Sequence, residues 1–387
     1  ELSQRDWENY TTILSGGIDS SKEFWSLHVT SVSKQGSLDG LTVTKGNANG
    51  QEWTDDATAG AVAGYGQANV VARNCVFENN SAKSEGGVTK GGNWTVIDSR
   101  FSNNSSYNGG VCRSGTWNVT NSQFLNNSAN RNGHGGVASY STWIAKNCNF
   151  TNNSADSEGG VTGGGDWTVT NCNFVGNFSN QGGIANNSNW TATNCTFVKN
   201  STSNEGGVAK DSTWTATNCI FTDNKANEQG GVGHSGNWTV TNCLFSRNSA
   251  NYGGVAARGS WIATNCTFTE NLSSQYGSVT CWSTWRIYNN IFHKNISGSV
   301  PVFGNVTIYN TKTGGGETAY NIIESGGFAG QGTSVYQPQI SADGWRFPQY
   351  DDLSSHWDAG AEYIALFPNV LLGVHNDHAF AILLLPD

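Results

Sequence analysis

The sequence predicts an all-β protein, a parallel β-helix (solenoid) of about 12 to 14 coils with irregular N- and C-terminal caps. Two observations lead to this fold class. A block of about 24 residues recurs from Asn74 to Asn295, and the apolar residues within it alternate with threonine. A fixed period of this length indicates a repeat architecture, and strict alternation is typical of a strand. The block has too few strands for a propeller blade and lacks the spacing of a helical repeat.

Each block reads G-G-V, a variable stretch, and W-x-V/A-x-N-C/S-x-F-x-x-N. Neighbouring coils of a β-helix lie about 4.8 Å apart, so each residue stacks on its equivalent in the next coil. Asparagine amides stacked in this way pass hydrogen bonds from coil to coil. The predicted structural ladders contain Asn80, Asn104, Asn127, Asn153, Asn224 and Asn248, and Trp94, Trp117, Trp143, Trp167, Trp190, Trp214, Trp238, Trp261 and Trp285.

A second asparagine column stands three residues before Phe in nine of the ten blocks, with Asp98 in the remaining one, and we expect it to form another ladder at a bend. The glycine pairs, such as Gly86 and Gly87, are expected at corners that need unusual backbone angles or close approach between coils. The second asparagine column comprises Asn74, Asn121, Asn147, Asn171, Asn194, Asn218, Asn242, Asn265 and Asn289.

Seven of the nine cysteines occupy one repeat position, two residues before Phe, where Ser99 and Ser122 also occur. A position that accepts either residue requires a small buried side chain, so these cysteines are interpreted as core residues. There is no C-x-x-C and no paired histidine, so the sequence predicts no metal site and no cofactor. Cys112 and Cys281 lie outside this column, and the sequence leaves open whether they form disulfides.

The tryptophan column permits two interpretations. Trp and the Val two positions later share one side of the strand, which favours indole rings stacked in the interior. The alternative is an exposed aromatic strip that binds sugar rings.

The outward side of the same strands carries threonine pairs in four successive coils. Such columns resemble the flat ice-binding surface of some antifreeze proteins, although threonine is also a common exposed strand residue. Ile144, Lys146, Ile262 and Arg286 interrupt the array. The predicted exposed threonine face comprises Thr168, Thr170, Thr191, Thr193, Thr215, Thr217, Thr239 and Thr241.

Catalytic residues are not identifiable from the sequence. Hydrolysis of a glycosidic bond requires two carboxyl groups about 5 to 10 Å apart. Glu85, Glu158 and Glu205 share one repeat position but are separated by other residue types, so we interpret them as solvated turn residues. His134 and His234 fall in turns with no acidic partner in line.

Asn-x-Ser/Thr sequons recur at the bend after Phe, and they predict a column of glycans if the source glycosylates secreted proteins. Four stand immediately before the ladder asparagine and four coincide with it. The glycosylation candidates are Asn79, Asn103, Asn126, Asn152, Asn177, Asn200, Asn271 and Asn295.

The composition agrees with an extracellular solenoid. Charged residues make up 13% of the chain, against about 25% in ordinary soluble domains. The formal charge of -9 argues against nucleic acid and anionic membranes as partners. No segment is long enough to span a bilayer as a helix. The chain starts at Glu1 without Met or a signal peptide, so we expect a mature product or a fragment that is secreted or displayed on the cell surface.

The alternation of G-G-V/I with F-x-x-N resembles the repeats of chlamydial polymorphic outer membrane proteins and of secreted right-handed β-helix proteins in the pectate-lyase-like superfamily. The segments Thr12 to Asp19 and Leu38 to Asn49 are similar to the opening coils of such proteins. The resemblance covers roughly residues 10 to 335 and implies right-handed winding. It leaves function open, because this architecture carries lyases, hydrolases, adhesins and passive surface structures alike.

The pattern divides the chain into four regions. Residues 1–69 form an N-terminal cap and the first irregular coils, 70–295 the regular repeats, 296–335 continuing irregular coils, and 336–387 a C-terminal cap or assembly tail. The tail ends in an apolar run from Phe380 to Leu385. Since the open end of a solenoid must be capped or joined to another copy, this run predicts a cap or a docking strand.

These observations predict an extracellular structural or adhesive protein with no catalytic residue. We expect its partners to be copies of itself, joined head-to-tail into a filament, or other surface components, and glycans are candidate ligands. The alternative is a polysaccharide-binding or polysaccharide-cleaving enzyme of pectate-lyase-like architecture, and the third hypothesis is ice binding through the threonine face.

Overall fold

The predicted all-β parallel solenoid is confirmed. The computed structural model describes residues 12–17, 28–64 and 68–298, together with the backbone of strands between 303 and 383. The regular part has about ten coils, slightly fewer than predicted, because the repeat motif does not extend into the flanking regions that the prediction counted. Residues 1–11 and 18–27 of the predicted N-terminal cap lie outside the described residues.

Each coil first crosses a sheet that we call the Trp sheet, which has 20 strands. Its strands pair in parallel and in register, so that Trp167 lies beside Trp190 and Trp190 beside Trp214. Its strands are Gln35–Asp39, Asn69–Arg73, Thr89–Lys90, Asn93–Ile97, Cys112–Arg113, Thr116–Thr120, Ala138–Ser139, Thr142–Lys146, Thr162–Thr170, Ala185–Thr193, Ala209–Lys210, Thr213–Thr217, Gly233–His234, Asn237–Thr241, Ala256–Ala257, Ser260–Thr264, Thr280–Cys281, Thr284–Tyr288, Phe303–Gly304 and Thr307–Tyr309.

The chain then enters the Phe sheet, which has 13 strands and carries the repeated phenylalanine at the centre of each regular strand. Its strands are Thr12–Ser15, Leu41–Thr44, Val76–Glu78, Arg100–Ser102, Gln123–Leu125, Asn149–Thr151, Asn173–Val175, Thr196–Val198, Ile220–Thr222, Leu244–Ser246, Thr267–Thr269, Ile291–His293 and Ile322–Ile323.

A third sheet of 11 strands closes each coil and leads back to the Trp sheet through the glycine pair. Its strands are Asn47–Ala48, Ser81–Ala82, Ser105–Ser106, Ser128–Ala129, Ser154–Glu158, Phe178–Gln181, Ser201–Glu205, Lys225–Ala226, Ser249–Tyr252, Leu272–Tyr276 and Ile296–Ser297.

The F-x-x-N asparagines form a buried hydrogen-bonded ladder. Asn200 donates from Nδ2 to the Phe174 carbonyl and to Asn224 Oδ1, both at 3.0 Å. Its own Oδ1 accepts from the backbone N–H and from Nδ2 of Asn177, at 3.0 and 2.9 Å. The side-chain amides of this ladder therefore hold the bend of each coil to the bend of the next coil.

The tryptophans and phenylalanines form two parallel stacks in the core. Neighbouring indole rings of the ladder lie 4.6–5.0 Å apart at interplanar angles of 2–8°. Neighbouring phenyl rings show the same spacing, and the two stacks meet edge to face, as in the 5.4 Å contact between Phe174 and Trp190. The ladder indoles are at most 2% exposed, so they do not form a sugar-binding strip.

Four left-handed corners shape each coil, and the repeat motif supplies residues that tolerate them. The second asparagine column and the first glycine of each pair have positive φ, for example 54° at Asn194 and 66° at Gly182. The second glycine is required for a different reason, the lack of space for a side chain. A Cβ on Gly183 would lie 2.2 Å from the Gly207 carbonyl oxygen. This position therefore allows the close approach between coils that the motif predicts.

The chain divides into two compact units, Glu1–Gly327 and Phe328–Asp387. Outside the three solenoid sheets, the first unit contains the paired strands Thr30–Val32 and Val62–Gly64 and the 3-10 helix Asp55–Ala57. The second contains an antiparallel sheet of Ala361–Leu366, Val370–His375 and Ala379–Leu383, so the predicted apolar strand near the C-terminus is part of a local sheet.

Substitution of one buried ladder amide tests the contribution of the asparagine column. We expect Asn200→Ala to lower the free energy of unfolding by about 2 to 5 kcal/mol, because it leaves buried partners on both neighbouring coils without hydrogen bonds. Urea denaturation followed by circular dichroism measures the change. The control Asn118→Ala, at an exposed strand position, should change stability by less than about 0.5 kcal/mol. Equal effects of the two substitutions would contradict a structural role for the ladder.

Candidate functional site

Non-repeated charged and aromatic side chains gather at the corner formed by each glycine pair. We call this region the corner strip and define it by three columns of the repeat. The first column contains the residue before the glycine pair. The second contains the last residue of the short strand after the pair, and the third contains the residue that follows this strand. The columns are Glu85, Asn108, His134, Glu158, Gln181, Glu205, Gln229, Tyr252 and Tyr276; Lys90, Arg113, Ser139, Gly163, Asn186, Lys210, His234, Ala257 and Cys281; and Gly91, Ser114, Tyr140, Gly164, Asn187, Asp211, Ser235, Arg258 and Trp282.

The backbone fixes these columns side by side. Second-column residues of successive coils pair in register, as Lys210 does with Asn186 and His234. Every third-column residue has positive φ, including Tyr140 at 49° and Trp282 at 51°. Bulky residues are rare at such angles, so the aromatic residues here depart from the local preference of the corner.

One end of the strip centres on a buried carboxylate. Glu85 is 4% exposed, and its Oε2 lies 2.9 Å from Lys90 Nζ while Oε1 binds Arg113. The Arg113 guanidinium in turn stands 5.6 Å from the centre of the Tyr140 ring, and Tyr140 is 59% exposed. The interpretation of Glu85 as a solvated turn residue is therefore wrong, because Lys90 and Arg113, both on the neighbouring second column, hold its carboxylate inside.

The middle of the strip contains a lysine–glutamate ion pair and two contacts between a histidine and a glutamate. Lys210 Nζ lies 3.0 Å from Glu205 Oε2 and donates to Gln181 Oε1 at 2.8 Å. His234 Nε2 lies 3.6 Å from Glu205 Oε1, and His134 Nδ1 lies 3.2 Å from Glu158 Oε2. The expectation that neither histidine has an acidic partner is wrong: Glu158 follows His134 in the same column one coil later, and Glu205 stands on the neighbouring column one coil before His234.

The protonation states of this segment follow from these contacts. The hydrogen bond from His134 lowers the pKa of Glu158. Burial alone would raise the pKa of Glu205, but the hydrogen bond from Lys210 and the nearby cationic groups outweigh it and lower the value. Burial lowers the pKa of His234 despite the neighbouring carboxylate. At neutral pH the two glutamates are therefore ionised and His234 is neutral.

The other end of the strip is an exposed aromatic group. Trp282 and Tyr276 are 40% and 39% exposed. Tyr252 stands 6.2 Å from Tyr276 at 11° and 5.2 Å from Trp282. The Arg258 guanidinium lies 6.0 Å from the Trp282 ring. Each end of the strip thus pairs an arginine with an exposed aromatic ring on the following coil.

The sequence contains a signal for this site that periodicity hides. The motif E-G-G-V-x-K occurs twice, at Glu85 to Lys90 and at Glu205 to Lys210. Its two charges flank the glycine corner and meet in both cases. Comparing residues along a single column misses these pairs, because their partners stand on neighbouring columns.

The glycosylation candidates separate into accessible and inaccessible sites. Asn79, Asn103, Asn126 and Asn152 are exposed at left-handed corners, whereas Asn295 is half-buried and donates to the Phe268 carbonyl at 2.9 Å. Glycosylation is not expected at the three candidates that are 0% exposed within the ladder. A sugar on their Nδ2 atoms would displace hydrogen bonds and would have no space in the core. These three are Asn177, Asn200 and Asn271.

In the later coils, the corner that bears the exposed sequons carries charges of alternating sign, a feature that we call the charge column. Arg247 Nε lies 2.9 Å from Asp223 Oδ1, and this hydrogen bond lowers the pKa of Asp223. Sequence reasoning missed this column because no single residue type repeats in it. It consists of Lys199, Asp223, Arg247, Glu270 and Lys294.

The surroundings of the cysteines indicate a structural role. All nine cysteines are buried and free, including Cys112 and Cys281, whose pKa values burial raises to about 12. The cysteine column also makes hydrogen bonds, since the Cys172 backbone N–H donates to Cys195 Sγ at 3.4 Å. Serine fits this position because its hydroxyl accepts the same bond, as Ser122 does from the Ser99 N–H at 3.1 Å.

The second asparagine column lies on the surface, where its amides bond to one another; Asn194 Nδ2 donates to Asn171 Oδ1 at 3.3 Å. Among the described residues, no group of three or more His, Cys, Asp and Glu side chains is placed to hold a metal ion. The same residues contain no helix that is both long and apolar enough to cross a membrane.

Comparison with known proteins gives the fold no family assignment: no protein-family model and no curated protein matches this sequence. The structure itself defines the class as a parallel β-solenoid repeat protein.

Expression in a host that attaches N-linked glycans tests the division of the sequons. We expect folded protein to carry sugars at Asn79, Asn103, Asn126 or Asn152 and none at Asn177 or the other buried candidates. Neighbouring acceptors lie about 4.8 Å apart, which leaves too little room for a glycan on all four. Glycopeptide mass spectrometry of protease-resistant material measures occupancy. A glycan at a buried ladder asparagine in such material would contradict the prediction.

Proposed function

We propose that this protein is an extracellular structural or adhesive β-helix that binds extended polysaccharide along its corner strip. One observation carries the proposal: the repeated residues are occupied in stacking, while the corner strip brings non-repeated cations, carboxylates and exposed aromatic rings together. Its location on the cell surface or outside the cell is part of the proposal, supported by the low charge content and the long solenoid form.

The dimensions of the strip favour an extended ligand. Tyr140 and Trp282 stand six coils apart, about 29 Å at a coil spacing of about 4.8 Å. Exposed aromatic faces stack on the apolar faces of sugar rings, and ionised groups between them can accept and donate hydrogen bonds to hydroxyl groups. A linear polymer that follows the solenoid axis would reach both aromatic ends and the ion-paired middle.

A binding role is favoured over hydrolysis by the ionisation of the two central carboxyls. Glycosidic cleavage requires a carboxylic acid that remains protonated until it transfers its proton to the leaving group. The pKa values of Glu158 and Glu205 are both lowered by their basic partners. Neither residue therefore keeps the proton that the acid must donate. Glu158 instead orients His134, and Glu205 orients Lys210.

The resemblance to polymorphic outer membrane protein repeats, and through them to the pectate-lyase-like superfamily, remains a proposal based on the G-G-V/I and F-x-x-N motifs. The parallel coils and the glycine corner are consistent with it. Right-handed winding is part of the same proposal.

Replacement of the aromatic ends tests polysaccharide binding. We expect Trp282→Asn to weaken binding about tenfold, equivalent to about 1.4 kcal/mol, and Tyr140→Asn/Trp282→Asn to abolish measurable binding. Asparagine retains the left-handed backbone angle at both positions. Co-sedimentation with insoluble polysaccharides, followed by titration with soluble fragments, measures affinity.

The matched control is Phe178→Ser, which removes an aromatic residue that is 41% exposed on the third sheet and introduces the serine found there in neighbouring coils. It should bind as the unmodified chain does. Failure of the unmodified protein to bind any polysaccharide, or equal binding by all variants, would overturn the binding site. Release of sugars during incubation would favour the enzymatic alternative.

Electron microscopy tests the structural part of the proposal separately. Because each end of a solenoid exposes unpaired strand edges, we expect head-to-tail filaments whose length increases with protein concentration. Negative staining and sedimentation velocity of the full chain measure assembly. Discrete monomers at all concentrations would refute self-assembly without bearing on the binding strip.

A further inference from the structure

We propose that the threonine face of the Trp sheet binds ice. This face consists of two columns in four successive coils and is independent of the corner strip. In each column the residues pair directly across neighbouring strands, Thr168 with Thr191 and Thr191 with Thr215 being examples. Its members are Thr168, Thr170, Thr191, Thr193, Thr215, Thr217, Thr239 and Thr241.

The backbone beneath this face is held in a regular lattice. The paired segments run from Trp167 to Thr170 and through the equivalent residues of three further coils without a register shift. Hydroxyl groups therefore repeat about every 4.8 Å along the solenoid axis and about every 6.6 Å along the strand. The indole stack lies on the other side of the same strands, with spacings of 4.6–5.0 Å, and prevents local buckling.

The chemistry of the face suits ordered water. The first threonine of each pair is exposed and the second is half-buried. A threonine offers one hydroxyl to bind a water molecule and one methyl that limits the orientations of its neighbours, and surface-ordered waters cost little free energy when they are well hydrogen-bonded. Neither column contains a charged residue in these four coils. The exposed carboxylate beside the array, that of Asp166, accepts a hydrogen bond from Asn189 at 2.8 Å.

On one side of the threonine columns the surface continues without charged residues. The second asparagine column runs beside the threonines, and its amides are tied to one another, Asn218 Nδ2 donating to Asn194 Oδ1 at 3.2 Å. These bonds fix the direction of the exposed amide groups. The face is consequently rigid in two dimensions and presents the same small polar unit in every coil.

Ice fits this face better than a macromolecular partner does. Protein interfaces depend on a few aromatic or arginine anchors that fill pockets, and the two threonine columns contain neither. A surface that repeats one unit by translation matches a ligand that also repeats by translation in two dimensions. Water ordered on the threonines at these regular intervals would form a layer through which the face joins the crystal.

The neighbouring coils limit the size of the array. Ile144 and Lys146 replace both threonines on one side, and Ile262 replaces the first of the pair on the other, where Thr264 keeps the second. Four coils therefore give a modest contact area. The interruption also provides a direct test, because three substitutions would make the array continuous over six coils.

The experiment measures thermal hysteresis and partitioning into a slowly growing ice hemisphere. The unmodified chain should produce faceted ice crystals and enter the ice. Thr215→Lys should remove both effects, because an ammonium group at the centre of the face retains its own water. Gln123→Lys, at an exposed position on the Phe sheet, adds the same charge elsewhere and should have no effect.

The extended variant Ile144→Thr/Lys146→Thr/Ile262→Thr should increase thermal hysteresis at equal molar concentration. Circular dichroism of each variant confirms folding. A folded, unmodified chain that neither shapes ice crystals nor enters growing ice overturns the inference, and so does activity that survives Thr215→Lys. Trp282→Asn should retain full ice activity, which separates this result from the fate of the polysaccharide-binding proposal.

Discussion

The structure depends on one constraint, that each residue lies against its own equivalent in the next coil. Parallel in-register pairing places equivalent residues of neighbouring coils about 4.8 Å apart. Only side chains that interact favourably with an identical side chain can therefore be repeated in every coil. Asparagine satisfies this condition because its amide both donates and accepts, and indole and phenyl rings satisfy it because flat faces stack. A lysine or glutamate repeated in every coil would place like charges within a few ångströms of each other.

This constraint explains why so much of the chain could be predicted from the sequence. The period, the alternation around Trp190 and the invariant F-x-x-N are local signals, and each has a single structural solution when coils are stacked. The division between buried and surface asparagines was harder to predict, since both columns have the same residue type. Whether an asparagine is buried depends on the side of the coil toward which the backbone directs its side chain. Asn200 is directed inward and is buried, whereas Asn194 is directed outward and is exposed.

The ion pairs around Glu85 and Glu205 were missed in the sequence because these contacts cross columns. Glu205 meets Lys210 across the glycine corner and His234 on the following coil, and neither relation appears in a comparison of equivalent positions. Exposed tyrosine and tryptophan at left-handed corners also contradict local preference, a departure that favours a binding role over a structural one. The repeat thus reveals the scaffold and conceals the residues that distinguish one coil from another.

The charge column has a consequence for how the solenoid reaches the correct register. Because successive coils are nearly identical, a strand that skipped one coil and paired with the next would recover almost all of its stacking and amide bonds. Such a skip would bring Lys199 against Arg247 and Asp223 against Glu270, replacing each attraction by a repulsion. The alternation of sign therefore disfavours this mispairing, which the stacking of the repeated residues alone would tolerate.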